Sequence, residues 1–394
     1  MKKLLIAGGS YADIPLIQAA RRLGYHVTTS GNRPQDRGHV FSDAFEPCDY
    51  SDPQAVLALA KKIGAEALCA CCNDFSALSC AFAARELGLP GHDDPKTAEI
   101  IHHKDRWRAF AQEHGIPSPQ AIGCASMEEV KAAIPKLRLP LMVKPVDLTG
   151  GKGIQRANTV DDTIEAAEAA FAVSKAKRIV VEEFITGTRH GFTCILRDGC
   201  VAFHFADDEM YHLSQYLVSA ACTPSTCPSS SIKSLINHSE RIAGLLDLVN
   251  GIFHVQFIQH ESGNPVIIEI CRRAPGDLYI ELVRYATGAP YAEWLVRASA
   301  GLGLSDVFHM PVVNCVTRHC LMTEYTGTFS CFQFDPSVDS RIIDRLIWAQ
   351  PGDEVIDPST HKFGIVFVHH RDEQQMRKEA PQLQKLLRAR LAGR

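Results

Sequence analysis

The sequence lacks the long apolar runs that membrane proteins require. In its 394 residues, no uninterrupted apolar stretch reaches the roughly 18 residues that mark a membrane-spanning helix. The short apolar run Leu4–Ala7 is followed by Gly8-Gly9 and soon by Asp13, so it is typical of a buried strand rather than of a secretion signal. We therefore expect no membrane partner.

The sequence also lacks an excess of positive charge. Lys and Arg together number 41, against 45 Asp and Glu, which gives a formal net charge of −4. Proteins that bind nucleic acids neutralise phosphates with a basic surplus or a concentrated basic face. We therefore expect no nucleic-acid partner.

Cysteine is abundant, with 14 residues, but its spacing lacks the pattern of a zinc site. Structural zinc sites combine two Cys-x-x-Cys pairs, or one such pair with two spaced His residues. No such set of four ligands occurs here. Cys69, Cys71 and Cys72 lie inside an apolar stretch. These features predict reduced, buried thiols in a cytoplasmic protein.

Strands and helices alternate along the first 95 residues, which predicts a parallel sheet with helices on both faces. The turn Gly8-Gly9 lacks the glycine spacing of a dinucleotide fingerprint, so we interpret it as a tight turn. The predicted strands are 4–9, 25–30 and 65–72, and the predicted helices are 14–23, 77–87 and one that begins at Pro53.

The remainder divides into a central domain, residues 96–307, and a small α+β domain, residues 308–394. A lid at about 116–186 contains a glycine-rich loop, and two hairpins follow it, the first turning at Asp198-Gly199. The segments predicted in these domains are strands 120–123, 139–144 and 179–185, helices 127–134, 160–172, 232–249, 278–286 and 290–300, hairpins 191–206 and 251–271, an irregular stretch 207–230, and a final amphipathic helix 372–392.

Four segments in a fixed order carry residues suited to a triphosphate. Two lysines, Lys104 and Lys144, can place ammonium groups on phosphate oxygens, and the loop 147–153 can bring its backbone N–H groups close to phosphates. A strand edge such as Glu182–Ile185 can bind a base through its backbone. Gln256 and Glu269 lie on consecutive strands of one hairpin, where two oxygens can converge on Mg²⁺. Taken singly, most of these residues are ordinary surface residues. The ordered combination indicates a nucleotide site.

This combination resembles the ATP-grasp superfamily over residues 1 to about 300. Within it, the chain looks like the carboxylate–amine ligases, especially the L-amino-acid ligases that form dipeptides. Two stretches, Glu269–Asp277 and Glu281–Gly288, carry most of this resemblance. The resemblance implies an α/β fold, α+β in the later domains, with an N-terminal doubly wound parallel-sheet domain (1–95), a small αβ lid and a central antiparallel-sheet domain.

The resemblance also implies roles for individual residues. Lys104 and Lys144 would hold phosphates, Arg273 would steady an acyl phosphate and act with Lys144 in catalysis, and Gln256 and Glu269 would hold Mg²⁺. Arg272, Arg273 and Arg284 are candidates to bind the substrate carboxylate, and Tyr211 and Tyr216 are candidates for substrate choice. The remaining nucleotide contacts would come from Gly150, Gly151, Lys152, Gly153, Glu182, Glu183, Ile185 and His190, with Glu183 and Ile185 acting through their backbone and His190 resembling a position in biotin carboxylases.

Two positions depart from the family pattern. Many relatives have Glu where Gln256 stands, although Gln has precedent in carbamoyl phosphate synthetases. Asn is usual where Cys271 stands, and a thiol is a poor Mg²⁺ ligand. These changes predict a specialised or weakened metal site. The Glu common after the hinge strand is also replaced, by the stretch Arg189–Phe192.

The function implied by the resemblance is ATP-dependent ligation. A small carboxylate, an amino acid being the first expectation, becomes an acyl phosphate and then joins an amine, with release of ADP and phosphate. The implied cofactors are ATP and Mg²⁺, with Mn²⁺ as an alternative ion, and the implied assembly is a homodimer. Two alternatives stay open: a purine-pathway or carboxylase-like enzyme, for which Arg33 and Arg37 are the local cations, and a catalytically silent ATP-binding protein.

Overall fold

The computed structural model describes residues 1–148 and 150–393, so Thr149, a member of the predicted glycine loop, and Arg394 lie outside the described residues. The strands are β1 (Lys3–Ala7), β2 (His26–Gly31), β3 (Ala44–Pro47), β4 (Ala67–Ala70), β5 (Ala121–Cys124), β6 (Leu141–Pro145), β7 (Gln155–Ala157), β8 (Ile179–Glu183), β9 (Thr188–Arg197), β10 (Cys200–Met210), β11 (Ala220–Thr223), β12 (Gly251–Gln259), β13 (Pro265–Cys271), β14 (Cys315–Leu321), β15 (Gly327–Phe334), β16 (Ile342–Ile347), β17 (Glu354–Val355), β18 (Gly364–His370) and β19 (Leu387–Leu391). The helices are α1 (Ile14–Arg22), α2 (Pro53–Ile63), α3 (Asp74–Leu87), α4 (Pro95–His102), α5 (Lys104–Glu113), α6 (Met127–Ala133), α7 (Val160–Val173), α8 (Ser229–Leu246), α9 (Tyr279–Thr287), α10 (Tyr291–Ser299), α11 (Pro336–Asp339), α12 (Glu373–Glu379) and α13 (Leu383–Leu386). None of these described helices is both long enough and apolar enough to cross a bilayer.

The N-terminal strands form a parallel sheet in the order β3-β2-β1-β4, as the alternating pattern predicted. Helices α2 and α3 cover one face, and α1 packs with α10 on the other. A Cβ at Gly8 would lie 2.2 Å from the Cβ of Cys71. Only glycine fits this turn, which agrees with the conformational interpretation of Gly8-Gly9.

The lid sheet is a four-stranded antiparallel sheet in the order β5-β8-β6-β7. Helices α6 and α7 pack on it around a core of its own, which includes Val143, Ala167 and Val181. The glycine loop connects β6 to β7, so the loop leaves the same strand that carries Lys144.

A second, larger antiparallel sheet has eight strands in the order β13-β12-β9-β10-β11-β14-β18-β16. Both predicted hairpins are present as β9–β10 and β12–β13. The prediction that residues 207–230 are irregular is partly wrong, because β10 continues to Met210 and β11 spans Ala220–Thr223. Strands β14, β16 and β18 extend this sheet past residue 308.

The prediction of a long helix over 372–392 is wrong. Helix α12 ends at Glu379, Pro381 lies in the turn that follows, and the chain returns as β19 to pair with β15. Leu383, Leu387 and Leu391 are all buried in the C-terminal core. Their four-residue spacing imitates one face of a helix, although a helical turn and a strand supply them here.

Candidate active site

A cavity of about 390 Å³ lies between the lid sheet and the large sheet. Its wall contains most of the residues predicted from the sequence to handle a nucleotide. These are Lys104, Lys144, Gly150, Gly151, Glu182, Glu183, Ile185, Gln256, Glu269 and Arg273, together with Tyr211 and Tyr216.

A buried charge triad occupies the lid side of the cavity. The carboxylate of Glu182 accepts from Nζ of Lys144 through Oε1 and from Nε of Arg108 at 2.8 Å through Oε2. Burial would raise the pKa of Glu182, but the charges of Arg108 and Lys144 lower it to about 2. Burial lowers the pKa of Lys144, and the Glu182 carboxylate opposes this. Glu182 therefore holds an otherwise isolated ammonium group in its charged form.

Lys104 links the glycine loop to the β12–β13 hairpin. It is the first residue of α5, and its Nζ lies 3.1 Å from the carbonyl oxygen of Leu148 and 3.4 Å from Oε1 of Glu269. Both predicted phosphate lysines thus face one cavity from different elements. Such a pair of point charges can grip adjacent phosphates.

The glycine loop adopts a backbone that other residues resist. Gly150, Gly151 and Gly153 have φ angles of +67°, +75° and +71°, in the left-handed region. A Cβ at Gly151 would lie 2.6 Å from both the Cβ and the carbonyl oxygen of Tyr216. The loop therefore packs closely on the segment that follows β10.

Gln256 and Glu269 are directly opposite each other in the β12–β13 ladder. Opposite residues of an antiparallel pair share one face of the sheet, so both side chains stand on the cavity side. No group of three or more His, Cys, Asp and Glu side chains within residues 1–148 and 150–393 has the geometry to hold a metal ion. The two oxygens of this pair fit Mg²⁺ as it is usually held on nucleotides, where one or two protein oxygens join phosphate oxygens and waters.

Cys271 is not suited to the role of a second metal ligand. Its thiol is buried and lies 3.5 Å from the carbonyl oxygen of Arg273. Burial raises the pKa of Cys271 to about 12, and a metal binds the thiolate form. Without a metal beside it, the Cys271 thiol is therefore protonated at neutral pH, and sulfur is in any case a poor ligand for Mg²⁺.

Arg273 is held at the cavity by a bidentate pair. Its Nε and Nη2 donate to the two carboxylate oxygens of Asp74 at 2.9 and 3.0 Å, and Nδ1 of His102 lies 2.9 Å from the same carboxylate. Asp74 is the first residue of α3, so the N-terminal domain positions a cation of the central domain.

The strand edge at Glu182–Ile185 leaves little backbone free. The N–H of Glu183 donates to the carbonyl oxygen of Gln120 at 2.9 Å, and the N–H of Phe184 donates to that of Pro140 at 3.0 Å. The Glu183 carboxylate faces away, toward the exposed Arg138. Hydrogen bonds from Arg138 lower the pKa of Glu183, and the smaller, opposite effect of burial does not cancel them. A base contact would therefore use carbonyl groups or the backbone of Ile185.

Several predicted site residues do not line the cavity in the described part of the chain, and their roles stay predictions. Both ring nitrogens of His190 are engaged, with Asp208 at 2.9 Å and Thr188 at 2.6 Å. Arg272 is buried against Asp93, with Nε 2.7 Å from Oδ2. Arg284 pairs with Glu281 on the surface of α9. The remaining two, Lys152 and Gly153, belong to the loop but also lie outside the cavity lining.

Sequence reasoning missed several charged residues of the lining, among them Asp207, Glu209, Arg108 and Arg318. Nε of Arg318 and Oδ2 of Asp207 are buried without a hydrogen-bond partner among the described residues. A signal for Asp207 and Glu209 is present, since they continue the alternation begun by Phe203 and Phe205, whose side chains are buried. Two-residue periodicity therefore placed these acids on the inner face of one strand.

Comparison with a family model agrees with this geometry. Residues 103–307 match the family described as carbamoyl-phosphate synthase L chain, ATP binding domain. The carbamoyl phosphate synthase large chain of Thermoanaerobacter sp. (strain X514) is 24% identical over 217 residues, which is 54% of this chain and 20% of that protein. The aligned part thus spans about a fifth of the length of that relative. The phosphoribosylamine–glycine ligase of Streptomyces coelicolor is 30% identical over 189 residues, 47% of this chain and 43% of that protein.

Solved structures share the whole fold. The L-amino acid ligase of Bacillus licheniformis has a TM-score of 0.83 at 19% identity and covers 100% of this chain and 99% of its own. The phosphoribosylglycinamide synthetase of Anaerococcus prevotii has a TM-score of 0.78 at 20% identity, with 99% of both chains covered. The biotin carboxylase domain of Hydrogenobacter thermophilus 2-oxoglutarate carboxylase, solved with MgADP, has a TM-score of 0.78 at 18% identity and covers 99% of this chain and 90% of its own.

Proposed function

This chain belongs to the ATP-grasp family of ATP-dependent ligases, through the carbamoyl-phosphate synthase L chain ATP binding domain, and from that premise we propose that it joins a small carboxylate to an amine. The proposed carboxylate is an amino acid. The observation that carries the proposal is one cavity lined by two lysines and by the Gln256–Glu269 pair.

The proposed reaction has two steps. An oxygen of the substrate carboxylate attacks the γ-phosphorus of ATP, the bond to the β-phosphate oxygen breaks, and ADP leaves. The amine nitrogen then attacks the acyl carbon, the bond to the phosphate oxygen breaks, and the nitrogen loses a proton. The protein contributes by positioning reactants and neutralising charge.

Residues of the cavity divide between these tasks. Lys104 and Lys144 would hold the phosphates, while Gln256 and Glu269 would hold Mg²⁺. When bound, that ion would neutralise phosphate charge. Arg273 and Arg318 line the same cavity, and Nε of Arg318 has no partner within the described residues. These two guanidinium groups suit a substrate carboxylate and a developing acyl phosphate.

An amino acid is proposed as the carboxylate because the L-amino acid ligase and the phosphoribosylamine–glycine ligase, by their names, both join one. The likeness to the phosphoribosylamine–glycine ligase supports a ribosyl amine as an alternative partner. Both reactions would form a C–N bond and release ADP.

The experiment is a screen for ADP release with ATP, Mg²⁺, one amino acid and one amine. We expect release that depends on both substrates and a product mass equal to their condensation. Phosphoribosylamine and bicarbonate form separate arms of the same screen. Turnover with bicarbonate alone would replace the proposal with a carboxylase-like activity, and nucleotide binding without turnover in every arm would contradict it.

A further inference from the structure

The side-chain amide of Gln256 is hydrogen-bonded to Glu209, a residue that the sequence analysis did not identify. Its Nε2 donates to Oε1 of Glu209 at 2.9 Å, and Oε2 of Glu209 accepts from the hydroxyl of Tyr211 at 2.6 Å. Arg189 in turn lies over the ring of Tyr211, with its guanidinium carbon 4.4 Å from the ring centre. Glu209 therefore has a donor on each oxygen.

The sheet explains how residues two strands apart can meet. Strand β9 lies between β12 and β10, and its Gly191 is the register partner of both Gln256 and Asp207. Gln256, Gly191 and Asp207 thus share one face of the sheet, and Glu209 shares that face two residues further along β10. A Cβ at Gly191 would lie 2.5 Å from Oδ1 of Asp207, so glycine leaves this face open.

The chemistry of the contact fixes the orientation of the amide. A carboxylate only accepts hydrogen bonds, whereas the glutamine amide has a donor end and an acceptor end. Glu209 must therefore face the NH₂ group of Gln256. The opposite end, Oε1, is left for the side of the cavity where Glu269 stands.

We propose that Glu209 is a positioning residue for the metal site: it holds the Gln256 amide so that Oε1, rather than NH₂, is presented to the divalent ion. Glu209 also places next to Gln256 the negative charge that a glutamate at position 256 would carry itself. This inference rests on the proposed use of Gln256 and Glu269 as metal ligands.

The test exchanges the carboxylate of Glu209 and the amide of Gln256 and measures the affinity for a metal ion. Mn²⁺ is titrated into the protein with a non-hydrolysable ATP analogue, and free Mn²⁺ is followed by electron paramagnetic resonance. Residues that orient a metal ligand usually affect metal affinity about 10- to 100-fold, so E209Q should raise the Kd for Mn²⁺ by that factor. The double variant E209Q/Q256E restores one carboxylate and one amide, and its Kd should fall back toward the wild-type value.

The matched control is Glu261→Gln, the same change at an exposed position in the turn of the β12–β13 hairpin, which should leave the Kd unchanged. Nucleotide binding without metal and thermal unfolding establish that each variant is folded. An unchanged Kd in E209Q, or no recovery in the folded double variant, overturns the inference. The titration needs neither carboxylate nor amine, so a wild type that binds Mn²⁺ and the analogue but shows no amine-dependent ADP release contradicts the proposed function alone.

Discussion

Replacing Glu182 by Gln removes the one anion between two buried cations. The side chains of Glu182, Arg108 and Lys144 are 2%, 2% and 9% exposed. The variant keeps the shape of the side chain but exchanges one of the two acceptor oxygens for an NH₂ group. Its effect therefore combines the lost charge with one lost acceptor.

The magnitude follows from the pKa of Glu182, which is lowered from 4.5 to about 2. At about 1.4 kcal/mol per pKa unit, this lowering corresponds to roughly 3 kcal/mol of stability at neutral pH. Loss of one partner from a buried ion pair costs about 3–5 kcal/mol in other proteins, which is the same range. We expect E182Q to lose about 3 kcal/mol of unfolding free energy at pH 7.

The pH dependence gives a second signature of the same charge. A depressed pKa contributes stability above the unfolded-state pKa and loses it as pH falls through the folded-state pKa. The difference between wild type and E182Q should therefore be full above about pH 5 and shrink toward pH 2. In the variant, the Glu182 carboxylate no longer opposes the lowering of the Lys144 pKa by burial, so binding of an ATP analogue should weaken more steeply with rising pH than in wild type.

Urea unfolding at several pH values and calorimetric titration of the analogue measure both effects. The matched control is Glu183→Gln, the next residue, whose carboxylate faces the exposed Arg138 instead of the cavity. That control should change stability less, because the partner Arg138 is 87% exposed and solvent screens the pair. Equal unfolding free energies for E182Q and E183Q at pH 7 would refute the reasoning.

Three further substitutions test other parts of the cavity. Lys104→Met removes a charge-assisted contact worth about 1.5–3 kcal/mol, so the Kd of an ATP analogue should rise roughly 10- to 100-fold by calorimetry; an unchanged Kd would remove Lys104 from the site. Gly151→Ala places a Cβ 2.6 Å from Tyr216, and steady-state assays should show a fall in kcat/KM of about 10- to 100-fold; Gly150→Ala has the same backbone strain but nothing within 4 Å, and an equal fall in that variant would contradict the packing argument. Cys271→Ser should leave the Mg²⁺ dependence of ADP release unchanged, and a marked shift would show that the thiol has a part in the metal site.

The sequence predicted the elements whose patterns are local. The helices expected at 278–286 and 290–300 are observed as Tyr279–Thr287 and Tyr291–Ser299, because a regular apolar spacing and short loops define them. The prediction of a long C-terminal helix failed because its pattern is not decided locally. Leucines at a spacing of four residues satisfy a helix or a turn followed by a strand, and only the partner strand β15 decides between them.

The sequence predicted cavity residues where a short local motif marks them, as with Lys144 and the glycine loop that follows it. It could not predict them where long-range pairing decides. Arg272 and Arg284 looked as suitable as Arg273 for binding a carboxylate, and all three have an acidic partner in the fold. Only Arg273 lines the cavity. Arg318 and Glu209 come from strands whose positions depend on the order of the large sheet.

The most direct test of the central claim is a crystal structure with Mg²⁺ and a non-hydrolysable ATP analogue. We predict phosphate oxygens within hydrogen-bonding distance of Nζ of both Lys104 and Lys144, and a metal ion contacting Gln256 Oε1 and Glu269. An analogue bound elsewhere, or bound here with its phosphates away from both lysines, would contradict the account.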